Sequence, residues 1–262
     1  MSGWVCLMYH DVGAERVAAS GGPEHFRVPA AAFAQQLDQI AGLGWVGRSI
    51  AEAVAAPGPV VAISFDDGEA GQFAHAFPAL VARGMTATFF VTTSWVGRPG
   101  YVSWHHLREM KAAGMSIQSH THTHPFLSEL SAAALHEELR VSKAQLDEHL
   151  GQHTDAIALP GGDFPRRALR GLLGSAGFGT VATSRWGVNG AVRADGVRLV
   201  RRCTVRGAPT PEAFGRVLRA DRWLATRRRV RDSALGAMRR ALGPTRYTKW
   251  RRRFLDARAV TP

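Results

Sequence analysis

Short apolar runs alternate along the chain with segments in which mainly apolar residues recur at helical spacing. The strand-like runs are Trp4–Met8, Val60–Phe65, Thr88–Thr92, Met115–Ile117, Ala156–Leu159 and Thr180–Thr183. The helical patterns between them include Phe33, Leu37, Ile40 and Ala41, and later Leu135, Leu139, Ser142, Leu146 and Leu150. This order predicts an α/β fold built on a parallel sheet, either a barrel or a doubly wound sheet.

The length and composition fit one large domain with an appendage. The chain has 262 residues, of which 45% are hydrophobic, which is enough to bury the core of a barrel-sized domain. We expect a catalytic domain over residues 1–215 and a separate tail over residues 216–262.

Chemically reactive side chains cluster where two of the predicted strands end. Asp66 and Asp67 follow the run Val60–Phe65, and the histidine-rich segment Ser119–Pro125 follows Met115–Ile117. Two carboxylates this close repel each other unless a cation lies beside them. A carboxylate and two imidazoles form a ligand set suited to zinc or another first-row metal. Either segment alone is also typical of a solvated turn, but the two together favour a metal site.

Several ordered motifs resemble those of the NodB-type polysaccharide deacetylases, carbohydrate esterase family 4. Ser64–Gly68 resembles the T-F-D-D-G motif of the family, and Ser119–Pro125 resembles its S-H-T-x-x-H-P motif. Further similar segments are Pro78–Leu80, Gly84–Val91 and Ala158–Phe164. The opening Leu7–His10 is similar to the L-M-Y-H of the subgroup that includes the poly-N-acetylglucosamine deacetylases. The resemblance covers roughly residues 4–215.

The resemblance implies an irregular barrel of about seven strands with its site at the carboxyl ends of the strands. It also implies a role for each reactive residue. Asp67, His120 and His124 would hold a divalent metal, with zinc expected first. Asp66 would act as the base that takes a proton from water, and His10 as the acid that protonates the departing amine. The reaction implied is the removal of N-acetyl groups from amino sugars, with release of acetate.

Other residues receive secondary assignments. We expect His122 to point away from the metal, since the motif uses only two of the three histidines. Tyr9 and Trp104 are candidates to line the sugar site. The loop Pro160–Gly162, followed by Asp163, is a candidate for the rim of the site, where a backbone amide can bind an oxyanion.

One departure from the family concerns the residue that orients the base. Many members carry an arginine just before the proline of the third motif, whereas this chain reads Ile157–Pro160 there. Asp163, Arg201 and Arg202 remain alternatives for orienting Asp66.

The tail carries nearly all of the net charge. Residues 222–258 contain thirteen Lys or Arg and only two acids, a net of +11 against +12 for the whole chain. Apolar positions recur there at helical spacing on both sides of Gly243-Pro244, a pattern that predicts two short amphipathic helices. We expect them to dock on an anionic membrane surface, although packing on the barrel is the open alternative. No nucleic-acid recognition module is evident.

The expected location is the cytoplasm, with peripheral attachment to the inner membrane face. The start of the chain lacks the pattern of a signal peptide, and no run of about 18 apolar residues is present. Cys6 and Cys203 are expected to be buried thiols. Two other functions stay open: a deformylase or other amide hydrolase acting on a lipid-linked amino sugar, and a glycan- or membrane-binding protein with a vestigial site.

Overall fold

A computed structural model gives the architecture of the protein. It describes residues 3–13, 26–55, 58–162, 167–190, 193–194 and 196–221, together with residues 226 and 238. The strands are β1 Val5–Tyr9, β2 Val46–Arg48, β3 Val60–Phe65, β4 Thr88–Val91, β5 Ser116–Ser119, β6 Ala156–Ala158, β7 Thr180–Thr183, β8 Arg193–Ala194, β9 Val197–Arg201 and β10 Cys203–Thr204. The helices are α1 Ala30–Gly42, α2 Ile50–Ala55, α3 Phe77–Val81, α4 Trp104–Ala112, α5 Ala132–Leu150, α6 Arg167–Ser175 and α7 Pro211–Leu218.

The strands form one sheet that is nearly closed into a barrel. Its order is β10-β1-β3-β4-β5-β6-β7-β9-β8, and β2 pairs with the first half of β3. Every pairing is parallel except that of β8 with β9. Strand β9 pairs with β7, whereas β10 pairs with β1. The continuous segment 197–204 therefore joins the two edges of the sheet and acts as the seventh strand of the barrel. The predicted parallel barrel is confirmed.

Strand alternation divides the apolar side chains into an inner and an outer layer. Small residues dominate the inner layer, in a cluster that includes Cys6, Ala62, Phe90, Ala158, Ala182 and Val200. The larger side chains lie in the outer layer, where Phe65 stacks on Phe89 with ring centroids 4.6 Å apart and both pack in the cluster that contains the α1 residues Phe33 and Leu37. Because the inner side chains are mostly small, polar side chains fit inside the barrel near the strand ends.

The helical spacing in the sequence corresponds to buried helix faces. Helix α1 buries Phe33, Leu37 and Ile40. Helix α5 buries all five of its predicted positions, Leu135, Leu139, Ser142, Leu146 and Leu150, and Ser131 caps its N-terminus by accepting a hydrogen bond from Ala134 N–H. Cys6 and Cys203 are buried thiols that are not joined in a disulfide, as predicted.

The predicted domain boundary needs adjustment at the last described helix. Helix α7 spans the predicted boundary and buries Phe214 and Leu218. The side-chain amide of Gln39 in α1 donates a hydrogen bond to the Pro211 carbonyl of α7. Since Ala220 is also buried, the barrel domain extends beyond residue 215. The predicted tail helices lie outside the described residues, apart from 226 and 238. Within the described part of the chain, no helix combines the length and hydropathy needed to cross a membrane.

Candidate metal and catalytic centre

The first part of the centre is the turn that follows β3. Asp66 and Asp67 are buried, with 3% and 9% of their surfaces exposed. Asp67 has a positive φ of 77°, and Gly68 follows at 84°. A non-glycine residue held in this left-handed region stores on the order of 1–3 kcal/mol of strain, which surrounding contacts must offset, and such residues cluster at functional sites. Because the backbone turns sharply here, the two neighbouring carboxylates contact different partners.

The second part is the loop that follows β5. His120 and His124 each place Nε2 3.3 Å from Oδ1 of Asp67. Nδ1 of His120 lies 3.0 Å from the Ala158 carbonyl, which can only accept, so Nδ1 carries the hydrogen and Nε2 presents its lone pair when the ring is neutral. His124, like Asp67, has a positive φ, of 64°.

These three residues fit a divalent metal. Among the described residues they form the one group of acidic, histidine or cysteine ligands that converges, with all ligand atoms within 4.8 Å of one another. Oδ1 of Asp67 is buried and has no hydrogen bond of normal geometry within the described structure. A carboxylate oxygen that faces two imidazole nitrogens in this way suits a cation shared by the three atoms.

The electrostatics of the group favour a charged carboxylate. Burial acts to raise the pKa of Asp67, but the two imidazoles outweigh it and hold that pKa well below its usual range. For His120, burial acts to lower the pKa, yet the charges of Asp66 and Asp67 raise it overall. The site therefore already attracts positive charge to the position between these side chains.

Asp66 is bonded by an arginine. Arg202 is completely buried and bonds both carboxylate oxygens, Nη1 to Oδ1 at 2.5 Å and Nη2 to Oδ2 at 2.8 Å. Nε of Arg202 donates to the Thr183 carbonyl at 3.1 Å, and the guanidinium lies 5.3 Å from the Phe90 ring centroid. Burial acts to raise the pKa of Asp66, but the Arg202 charge and its hydrogen bond, with nearby histidines, lower it overall. Of the two arginines considered from the sequence, Arg202 contacts Asp66, whereas Asp163 lies outside the described residues.

His10 lies at the end of β1, beside the same charges. Its ring packs on Phe26 with centroids 4.3 Å apart, and its buried Nδ1 has no hydrogen-bond partner among the described residues. Burial lowers the pKa of His10, and the charges of Asp67 and Asp66 oppose that effect. The proposed acid, base and ligands are thus brought together at one end of the barrel.

A buried glutamine links the two strands that carry the proposed acid and the proposed base. Nε2 of Gln72 donates to the carbonyl of His10 at 2.9 Å and to the carbonyl of Asp66 at 2.5 Å. The backbone ladder between β1 and β3 ends just before, where Asp66 N–H donates to the Tyr9 carbonyl. Gln72 therefore continues the strand pairing through its side chain. Sequence analysis gave no signal for this role.

One predicted sugar-site residue, Tyr9, is elsewhere in the fold, and this assignment is corrected. Tyr9 is fully buried in the outer layer, where its hydroxyl donates to Oε1 of Gln36 at 2.8 Å. Strand alternation turns Tyr9 outward because its neighbour His10 turns inward. Trp104 begins α4, is half-buried against the outer core and stacks on His149 of α5 with ring centroids 4.1 Å apart, and a sugar contact of this residue stays a prediction.

The remaining predicted residues have mixed outcomes. His122 points away from the metal ligands, and its Nδ1 lies 2.9 Å from Oγ1 of Thr93. Pro160–Gly162 forms the expected tight turn after β6. Gly161 has a φ of 64° there, and a Cβ at this position would lie 2.0 Å from the Phe126 ring, so only glycine fits. Asp163 lies outside the described residues, and a substrate contact from this rim stays a prediction.

An aromatic pair that sequence analysis missed borders the ligand His124. Trp95 lies in the loop after β4, with its ring centroid 5.0 Å from His124 and 5.0 Å from Tyr101. Both aromatic residues are half-buried. Backbone bonds from Thr93 and Ser94 to the carbonyls of Thr121 and His122 fix this loop against the histidine loop. The centre therefore has an apolar wall on one side.

The fold and the site together define a parallel α/β barrel with a candidate divalent-metal centre at the carboxyl ends of its strands. Residues 53–180 match the polysaccharide deacetylase family. YxkH of Bacillus subtilis, whose name marks it as a candidate polysaccharide deacetylase, is 30% identical over 155 residues, which are 59% of this chain and 54% of that protein. The match thus spans about half the length of this curated relative.

Solved structures agree with this assignment. The deacetylase PplD of Streptococcus pyogenes, in complex with acetate, superposes with a TM-score of 0.73 at 27% identity, over 83% of this chain and 98% of that one. IcaB of Ammonifex degensii gives a TM-score of 0.68 at 29% identity, over 83% and 96% of the two chains. The chain therefore resembles polysaccharide deacetylases in sequence over residues 53–180 and in fold over most of its length.

Proposed function

We propose that this protein is a metal-dependent N-deacetylase that acts on amino sugars of a glycan or of a lipid-linked glycan precursor. The proposal rests on one observation, that two adjacent carboxylates have different partners. Asp67 faces two histidine nitrogens, whereas Asp66 is held by Arg202 beside them. The match to the polysaccharide deacetylase family and the likeness to PplD and IcaB support the same reaction class.

Asp67, His120 and His124 would hold the metal, for which zinc is the first expectation from the donor set. When bound, a divalent metal supplies Lewis acidity toward the acetamide carbonyl and toward water. The residues of the chain supply the rest. Asp66 accepts a proton from the attacking water, whose oxygen bonds to the acetyl carbon. The C–N bond then breaks, and His10 gives a proton to the departing nitrogen, so that acetate and a free amine result.

The environment of each proton-transfer group suits its task. Both oxygens of Asp66 are bonded by Arg202, which keeps the carboxylate ionised and fixes its orientation. The lowered pKa of His10 makes its imidazolium a stronger acid toward the leaving amine. Gln72 holds the backbones of both residues, so the distance between base and acid is set by the fold.

The aromatic wall supports a sugar as the substrate. The faces of pyranose rings present C–H groups that pack well on aromatic rings, and tryptophan combines a large apolar face with a polar N–H. Trp95 lies against His124, so a sugar packed on it would place its substituents near the ligand set. The acetyl group of an N-acetylated amino sugar is the substituent that such a site would hydrolyse.

The decisive experiment measures acetate release from free, polymeric and lipid-linked N-acetylated sugars by metal-reconstituted protein. We expect Asp66→Asn to retain metal and lose turnover, whereas Asp67→Asn should lose both. Equal turnover by Asp66→Asn and the wild type would overturn the assignment of the base. The measurement of formate release from N-formylated analogues separates the deformylase alternative. If no substrate is hydrolysed and elemental analysis finds no metal, the non-catalytic binding protein is the better description.

The basic tail supports a further proposal about the location of the substrate. With a net charge of +11, residues 222–258 would bind an anionic membrane surface, where each basic residue near the surface contributes on the order of 1 kcal/mol. We propose that the enzyme works in the cytoplasm on a substrate presented at the inner leaflet. Co-sedimentation with phosphatidylglycerol vesicles at physiological salt, compared with neutral phosphatidylcholine vesicles, tests the docking. Equal sedimentation of the full chain and of a variant without residues 222–262 would contradict it.

A further inference from the structure

Side chains hold much of the loop that carries His124. Between β5 and His124, four successive backbone N–H groups donate to side-chain oxygens. Thr121 N–H donates to Oγ of Ser119 at 3.1 Å, and His124 N–H donates to Oγ1 of Thr121 at 3.1 Å. Between them, the N–H groups of His122 and Thr123 both donate to one oxygen, Oε2 of Glu138, at 2.9 Å. A loop without strand partners thereby has its backbone donors satisfied.

Glu138 makes the largest contribution to this support. Its second oxygen, Oε1, accepts a bond from the Thr123 hydroxyl at 2.5 Å, so one carboxylate accepts three bonds from two adjacent residues. Glu138 lies on α5, an element that carries none of the metal ligands. One helical turn later, Oγ of Ser142 lies 2.9 Å from Oγ of Ser119, which is the acceptor for Thr121. Helix α5 therefore holds the loop at two points.

The loop needs such support because its backbone is strained. Thr121 and His124 have φ values of 69° and 64°, in the left-handed region. β-branched residues such as threonine are genuine outliers there, and each such residue stores on the order of 1–3 kcal/mol. If the Glu138 bonds were lost, the loop would relax toward an ordinary conformation. His124 Nε2 would then move from its position 3.3 Å from Asp67 Oδ1.

We propose that Glu138 is a positioning residue that sets the metal affinity of the centre by fixing the loop His122–Thr123 and, through it, His124. Ser142 assists by holding Ser119 at the start of the loop. The inference rests on the metal site of the proposed function. It extends that site to a helix on the outside of the barrel and requires no contact between Glu138 and the metal.

The test compares zinc affinity among three variants by competition with a chromophoric chelator, starting from metal-stripped protein. Glu138→Ala removes all three acceptor bonds and should weaken zinc binding about 10- to 100-fold, the usual effect of losing a group that orients a ligand. Glu138→Gln keeps one oxygen for the two N–H donors, so its affinity should lie between those of Glu138→Ala and the wild type. The matched control is Glu137→Ala, since Glu137 is the neighbouring residue and is exposed, with an ion pair to Arg140.

Further readouts separate positioning from general stability. At saturating zinc, Glu138→Ala should recover most of the wild-type kcat, because the ligands themselves are intact. Equal zinc affinity of Glu138→Ala and the wild type would overturn the inference alone, as would an equal loss in Glu137→Ala. If the wild type binds no zinc, cobalt or manganese, the proposed function fails and the inference fails with it. Should Glu138→Ala not fold, Thr123→Val removes only the hydroxyl bond, and an unchanged affinity in that variant contradicts the proposal.

Discussion

Replacement of Arg202 by methionine tests the most deeply buried interaction of the centre. The guanidinium is completely buried, and its partner Asp66 exposes only 5% of its side chain. Methionine keeps much of the volume of the arginine but removes its charge and its three strongest hydrogen bonds, two to Asp66 and one to the Thr183 carbonyl. The carboxylate of Asp66 would be left buried without its partner.

The magnitude follows from the burial of the pair. Breaking a buried ion pair by removal of one partner destabilises a protein by about 3–5 kcal/mol, because an uncompensated charge remains. The free energy of unfolding of a typical domain is about 5–15 kcal/mol, so Arg202→Met should remove a large part of it. Turnover should also be lost, since an unpaired buried carboxylate takes up a proton and no longer serves as a base.

The assay is urea unfolding of the metal-free protein, followed by circular dichroism, in a double-mutant cycle. Arg202→Met and Asp66→Asn should each destabilise, and the double variant should be considerably more stable than the sum of the two effects predicts. Arg202→Lys should be intermediate, because a single ammonium cannot reproduce the two parallel bonds. The adjacent Arg201 is exposed, so Arg201→Met is the matched control and should change stability by no more than about 0.5 kcal/mol. A loss below about 1 kcal/mol in Arg202→Met, or strict additivity in the cycle, would refute this account.

Three further variants or reactions probe the rest of the centre. Gln72→Leu leaves the carbonyls of His10 and Asp66 without their donor and should lower kcat more than it raises KM. An effect on KM alone would contradict a role of Gln72 in holding the proposed acid and base. Trp95→Ala should raise KM for a sugar substrate about tenfold, the size expected for loss of an aromatic contact, whereas Trp95→Phe should change KM little. An unchanged KM in both variants would remove Trp95 from the sugar site. Burial raises the pKa of the Cys6 thiol to about 12, so it stays protonated at neutral pH; a thiol reagent should modify Cys6 only in urea, and rapid labelling of the native protein would disprove its burial.

The candidate metal ligands could be brought together from the sequence because each occupies a fixed place after a recognisable strand. Parallel strands bring their carboxyl ends to one edge, so Asp67 and His120 had to approach each other once β3 and β5 were identified. Tyr9 was misplaced although the sequence held the needed signal. Neighbouring residues in a strand face opposite sides, so Tyr9 and His10 could not both point into the barrel.

Other residues could not be placed by sequence reasoning. The choice between Arg201 and Arg202 depended on which of two adjacent side chains turns inward, and this is fixed by the pairing of β9 with β7 and of β10 with β1. Glu138 lies on the face of a long amphipathic helix, where a glutamate is ordinarily a solvated surface residue. Its role became visible only once the helix was packed against the histidine loop.

The position of Arg202 links the proposed base, Asp66, to the crossing that joins the two edges of the sheet. Arg202 is the single residue between β9 and β10, at the point where the chain leaves its pairing with β7 and begins to pair with β1. Its side chain bonds Asp66 at the end of β3 and the Thr183 carbonyl at the end of β7. These two strands do not pair with each other in the sheet. Asp66 is therefore bonded by the residue at which the chain passes from its pairing with β7 to its pairing with β1.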